Sequence, residues 1–202
     1  MRYFTVALCV LAVFAASACS KTVAIPKLSA DVVVLAFGDS LTHGTGASEA
    51  ESYPAQLAAM VGRKVVRAGV PGEVSESGLA RLPAALDEHA PKLLILCHGG
   101  NDFLRKLPRD KAAENVRAMV RLAQSRGIAV ILIGTPEPGL TVSTPAFYAE
   151  IAKEFRIPYE GEVMGNVLRS AALKSDTVHP NAAGYRVIAE KLAGLLRKAG
   201  AV

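Results

Sequence analysis

Cysteine is scarce in this chain, with 3 in 202 residues. Cys9 falls in an apolar stretch near the start, and Cys97 lies in the apolar run Leu93 to His98. Cys97 therefore reads as a small buried hydrophobe rather than a reactive thiol. No apolar run supplies the roughly 20 residues that a membrane-spanning helix needs. Phe4 to Ala16 comes nearest to one at the start, and polar Ser20-Lys21-Thr22 follows too soon. Internal repeats and low-complexity tracts are missing as well. A formal net charge of +5 is spread out, with Lys and Arg interleaved among Glu and Asp. That pattern describes a solvated surface, and no nucleic-acid-binding motif accompanies it. Half of the residues are hydrophobic (51%), which excludes disorder, and the length suits one domain with a substantial core.

The first residues have the composition of a leader. Arg2 is a short positive region, Phe4 to Ala16 is apolar, and Ala16-Ser17-Ala18 offers small residues for cleavage. Residues 1–18 are expected to be a signal peptide, followed by a polar linker over 19–30. Cys19 resembles the lipobox cysteine of bacterial lipoproteins, with Ala16 where leucine is usual. That resemblance implies lipidation at Cys19, a membrane attachment through more than one acyl chain, and, with Ser20 next, the outer membrane. Ordinary cleavage after Ala18 satisfies the same residues and implies a soluble exported protein. A lipidated Cys19 leaves no intramolecular disulfide.

Beyond the linker, apolar runs alternate with amphipathic stretches. Strands are predicted over Val32–Phe37, Lys64–Ala68, Leu93–His98 and Ile128–Gly134, with a short fifth near Ile157–Tyr159. Their uninterrupted apolar character fits a parallel sheet buried on both faces. Helices are predicted over Pro54–Val61, Glu76–Glu88, Arg109–Gln124, Thr144–Phe155 and Asn181–Arg197. Strand–helix alternation with right-handed crossovers gives an α/β fold, a three-layer αβα sandwich. In such folds ligands bind beyond the carboxyl ends of the strands.

Chemistry-bearing residues cluster at those ends. Gly38-Asp39-Ser40-Leu41 closes the first strand and presents a hydroxyl. A serine needs a base to remove its proton, and the base needs a group that fixes its tautomer. Asp176-Thr177-Val178-His179-Pro180 offers both, with a spacing that lets the carboxylate turn back onto the imidazole. Donors for a tetrahedral oxyanion are available from Ser40 N–H, from Gly72 N–H in Gly69-Val70-Pro71-Gly72-Glu73, and from the side chain of Asn101 in Gly99-Gly100-Asn101-Asp102. Alone, Gly72 and Asn101 would read as turn residues.

In this order and spacing the four blocks resemble the SGNH hydrolases, or GDSL lipase/esterase family, over about residues 32 to 197. The stretch Gly78-Leu79-Ala80-Arg81-Leu82-Pro83 resembles its thioesterase I/lysophospholipase L1 and arylesterase subgroup. The resemblance implies a flavodoxin-like five-stranded parallel sheet in the order 2-1-3-4-5, with residues 31–202 as the hydrolase domain. It implies Ser40 as nucleophile, His179 as base and Asp176 as orienting acid, with Ser40, Gly72 and Asn101 forming the oxyanion hole. No metal or organic cofactor is implied, and the partner is a small acyl ester or thioester. A carbohydrate O-acetylesterase is the alternative enzyme, and a non-catalytic lipoprotein scaffold the non-enzyme reading.

Departures from the family pattern fall beside the site. Glu73-Val74-Ser75 stands where Asp-Thr-Ser is common, and His98 where an apolar residue is common. His98 is expected to pack or hydrogen-bond next to the site. His43 is expected near the pocket, His89 at a helix end, and Asp39 and Asp102 as loop anchors. Thr135 to Leu140, with Phe147, is the candidate substrate-covering loop.

Overall fold

The computed structural model describes residues 23–139 and 141–202. The expected leader, Cys19 and Leu140 lie outside the described residues. The chain runs β1 (Val33–Gly38), α1 (Ser40–His43), α2 (Tyr53–Val61), β2 (Lys64–Gly69), α3 (Ser75–His89), β3 (Leu93–Cys97) and α4 (Gly100–Leu104). It continues with α5 (Arg109–Ser125), β4 (Ala129–Ile133), α6 (Phe147–Phe155), β5 (Tyr159–Glu160), α7 (Val163–Arg169) and α8 (Ala182–Lys198). The five strands form one parallel sheet in the order β2-β1-β3-β4-β5.

Side chains alternate across this sheet because successive Cβ atoms of a strand point to opposite faces. Val34, Ala36, Ile95, Cys97, Ile131 and Ile133 face a layer containing Leu57 of α2, Val167 of α7 and Leu192 of α8. Leu35, Phe37, Leu94, Leu96, Val130 and Leu132 face Leu82 of α3, Val116 and Met119 of α5 and Ile151 of α6. Both faces are apolar, so the strands read as continuous hydrophobic runs. The edge strand β2 differs: its interior is only half-buried, and Arg67 projects from it to pair with Glu49.

Three short helices escape periodicity: α1, α4 and α7 have too few turns to display an apolar stripe. The α6 helix begins at Phe147 rather than Thr144, because Ser143 pairs with Glu137 in an isolated antiparallel bridge and residues 144–146 form a loop. Ile25 and Leu28, from the segment expected as linker, are buried and donate their N–H groups to Ala199 and Ala201 carbonyls. The end of α8 is thereby stitched to the start of the sheet.

Among the described residues no helix is long and apolar enough to cross a membrane. Leu94→Ala, which removes a fully buried β3 side chain from the core cluster shared with α3 and α5, is expected to lower unfolding free energy by about 2–5 kcal/mol in urea titration.

Candidate active site

Three loops leave neighbouring strands at the same edge of the sheet. Gly38 pairs in register with Gly69 of β2 and Cys97 of β3, so the segments after them emerge side by side. The first turns sharply into α1, where Asp39 is the N-cap and its Oδ1 accepts the Leu41 N–H at 3.0 Å. Ser40 is the first residue of that helix. Its N–H belongs to the set at a helix start that has no intrahelical acceptor.

His179 reaches Ser40 from the opposite side. Its Nε2 lies 3.0 Å from Ser40 Oγ, and its Nδ1 lies 2.7 Å from Asp176 Oδ2. An ionised carboxylate only accepts, so Nδ1 carries the hydrogen and Nε2 is left with a lone pair facing the serine hydroxyl. Asp176 Oδ1 also accepts the N–H groups of Val178 and His179, each at 2.8 Å. Burial pushes the Asp176 carboxyl up, but these hydrogen bonds outweigh it and hold the group below its ordinary range. The aspartate side chain is 53% exposed and the histidine 19%, so the pair sits at the rim. Its support is firm: Ser175 N–H donates to the His179 carbonyl, and Asn181 caps α8 by accepting from Gly184 N–H.

The facing side is built from residues 72–75 and α4. Gly72 has φ +76°, a conformation that suits glycine, and its N–H has no acceptor among the described residues. Its carbonyl accepts from Arg105 Nη2 at 2.7 Å. Asn101 is buried, and its Nδ2 donates to the Glu73 carbonyl at 3.0 Å and to Asp39 Oδ2 at 3.2 Å. Asp102 accepts the Ser75 N–H and hydroxyl at 2.8 and 2.6 Å. Asn101 and Asp102 of α4, with its C-cap Arg105, thus hold residues 73, 75 and 72 of the neighbouring segment, and Asp39 and Asp102 anchor the backbone as expected.

Beneath this loop lies a buried cluster. Glu73 takes both Nε and Nη2 of Arg81, at 2.8 and 2.7 Å, and the Nε2 of His98 at 3.1 Å. Burial pushes the Glu73 carboxyl up, yet Arg81 and His98 overcome it and hold the group at about 2. Burial pushes the Asp39 carboxyl and the Cys97 thiol up, which keeps the thiol protonated.

Ser40, Asn101 and His179 line a cavity of about 160 Å³ whose walls include Leu104, Pro136, Pro138, Val142 and Leu168. Gly72 sits on the adjoining loop, outside that lining. Thr135 to Gly139 line the cavity. Phe147 does not: it stacks on Tyr148 with centroids 4.2 Å apart. His43 also lies elsewhere, bonded to Arg67, and His89 ends α3 as expected. Lys174 lines the cavity, and Arg105 clamps Gly72, 33 residues earlier; neither stood out in the sequence. Among the described residues no group of three or more His, Cys, Asp or Glu side chains is placed to hold a metal.

A serine-bearing turn beside a carboxylate–imidazole pair at the top of a parallel sheet suits the ester-hydrolase class, and the relatives place the chain in that class. The model of the GDSL-like Lipase/Acylhydrolase family matches residues 36–187. Thioesterase 1/protease 1/lysophospholipase L1 of Escherichia coli strain K12 is 30% identical over 179 residues, 85% of this chain and 86% of that protein. The crystal structure of TesA superposes with a TM-score of 0.74 at 27% identity, covering 83% of this chain and 99% of that one. AlinE4, described as an SGNH-hydrolase family esterase, gives 0.66 at 29% identity, covering 86% and 98%. The chain belongs to the GDSL-like lipase/acylhydrolase family and is a carboxylic ester hydrolase.

A carboxylate whose folded pKa lies below its unfolded value adds stability above the unfolded value and loses it as pH falls through the folded one. For Glu73 that window runs from the ordinary 4.5 down to about 2. Wild-type unfolding free energy is expected to fall across this window more steeply than that of Glu73→Gln, measured by urea titration at several pH values.

Proposed function

We propose that this protein hydrolyses acyl esters and thioesters through an acyl-enzyme on Ser40. His179 Nε2 takes the hydroxyl proton as Oγ bonds to the carbonyl carbon, and Asp176 stabilises the imidazolium. The negative charge on the carbonyl oxygen meets the N–H groups of Ser40 and Gly72 and the Asn101 amide. Collapse breaks the bond to the alcohol or thiol, which leaves with the proton from His179. Water then attacks the acyl-serine with His179 again as base, releasing the acid and free Ser40. The observation that carries this reading is the continuous Asp176–His179–Ser40 hydrogen-bond chain, with 2.7 and 3.0 Å separations.

Thioesterase and lysophospholipase are activities named for the Escherichia coli relative, and they set the substrate classes to try. The second reading is a carbohydrate O-acetylesterase, since the same Ser40, His179 and Asp176 arrangement would serve an acetyl ester on a sugar. A panel of p-nitrophenyl esters, acyl-CoA thioesters, lysophospholipids and acetylated sugars separates the two, since activity confined to acetylated glycans selects the second. No nucleic acid is involved in either.

We further infer that residues 1–18 are a leader and that 19–30 link it to the hydrolase domain of 31–202, with Ile25 and Leu28 of that linker packed onto the domain, and that the protein is exported to the cell envelope and anchored by lipid on Cys19. Globomycin treatment and Cys19→Ser are expected to change processing and membrane fractionation; no change in either leaves ordinary cleavage after Ala18.

A fluorophosphonate probe is expected to label the wild type and not Ser40→Ala. Ester hydrolysis by Ser40→Ala or His179→Ala should fall by about 10³-fold or more, and by Asn101→Ala about 10²-fold. A wild type inert to the probe and to every ester would instead favour the scaffold.

A further inference from the structure

Asn101 carries two amide hydrogens, and both have acceptors: the Glu73 carbonyl at 3.0 Å and Asp39 Oδ2 at 3.2 Å. An oxyanion that takes one of them must share or displace the longer contact, to Asp39. The bond to the Glu73 carbonyl then becomes the fixed point about which the amide is aimed. Glu73 lies in a turn between strand and helix whose backbone bond, from its N–H to the Val70 carbonyl, is 3.2 Å, and the Glu73 side chain is the second constraint on where that carbonyl points.

The side chain is caught below the loop. Arg81 binds both carboxylate oxygens, while its guanidinium lies 4.0 Å over the Phe37 ring and its Nη2 also reaches the Ala68 carbonyl. His98 supplies the third donor. Its Nδ1 lies 3.0 Å from the Gly99 N–H, which donates to it, so Nδ1 holds a lone pair and Nε2 holds the hydrogen. Nε2–H therefore donates to Glu73 Oε2 at 3.1 Å. The ring is fully buried and both nitrogens are used.

Space for the ring comes from the helix beside it: a Cβ at Gly78 would stand 2.2 Å from His98 Nε2. A side chain present only to fill the core would need neither a polar slot nor two matched partners.

We propose that His98, with Arg81, acts as a positioning residue for the oxyanion hole: through the Glu73 side chain it sets the carbonyl that orients the Asn101 amide. The contacts run in one unbroken series from His98 Nε2 to Glu73 Oε2, along Glu73 to its carbonyl, and on to Asn101 Nδ2. The role rests on the proposed donation from Asn101 to the oxyanion, so its test carries a readout separate from turnover.

The experiment is a set of three substitutions at His98. Gln places an amide N–H near the position of Nε2 and keeps the donor to Glu73; Asn keeps an acceptor for Gly99 N–H and loses that donor; Leu loses both. In His98→Leu and His98→Asn, kcat for a p-nitrophenyl ester is expected to fall about tenfold, with KM within about twofold. The inhibition constant of an alkylboronic acid, whose tetrahedral adduct imitates the transition state, should rise by a similar factor. His98→Gln should recover most of both losses.

The separate readout is the Asn101 side-chain ¹⁵NH₂ signal pair, assigned by its disappearance in Asn101→Asp. It is expected to shift and exchange faster with solvent in the Leu and Asn variants but not in Gln. Should the Leu variant fail to fold, Asn against Gln makes the same comparison. Wild-type kcat, boronate affinity and Asn101 signals in His98→Asn would overturn the proposal. So would a Gln variant as impaired as Asn, because packing and not the Nε2 donor would then matter. Loss of fluorophosphonate labelling at Ser40 in the wild type would sink the Ser40 mechanism alone; the Asn101 signals would still judge the His98 series.

Discussion

Parallel register among three strands is the constraint on which this molecule depends. Gly38 is level with Gly69 on one side and Cys97 on the other. Every functional loop but one therefore leaves the sheet at the same height. Packing makes that register stringent: a Cβ on Gly38 would lie 2.0 Å from the Cys97 carbonyl oxygen. A slip by one residue would also exchange the two apolar faces, turning Leu35 and Phe37 away from α3 and α5. The sheet that buries the core is thus the same device that gathers Ser40, residues 72–75 and Asn101.

The remaining loop brings His179, the proposed base, and it is built differently. His179 stands at the rim on a tight turn braced by α8, with its partner carboxylate three residues away and half exposed. The side proposed to hold the oxyanion is cross-linked, held by α4 above and by Arg81 and His98 below. Burying a charged cluster gives little net stability, because desolvation offsets the attraction between the partners. What such a cluster does provide is a defined geometry for a loop without regular structure. The division is sensible for acyl transfer: the base must exchange protons with water and leaving groups, while oxyanion donors act best when they need not reorganise.

Much of this was legible in the sequence because the decisive chemistry is local. The serine follows its strand within two residues, and the aspartate and histidine share one turn. Continuous apolar runs identified the sandwich, and the family resemblance supplied the strand order that the sheet displays. Short helices were not legible: Gly100–Leu104 is too brief for a periodic stripe, yet it grips the oxyanion loop. Long-range partners were equally hidden. Nothing near His98 announces Glu73, 25 residues earlier, or the slot opened by Gly78. Arg105 likewise has no local signal for its bond to the Gly72 carbonyl, 33 residues earlier.

The central claim is that the acyl group passes through Ser40 oxygen. Rapid acid quenching during hydrolysis of a p-nitrophenyl ester, followed by peptide mass spectrometry, tests it most directly. An acyl mass increment on the peptide containing Ser40, rising with the initial burst of p-nitrophenol and decaying as ester is exhausted, is the predicted result. A covalent adduct on a different residue, with Ser40 unmodified while turnover continues, would contradict it.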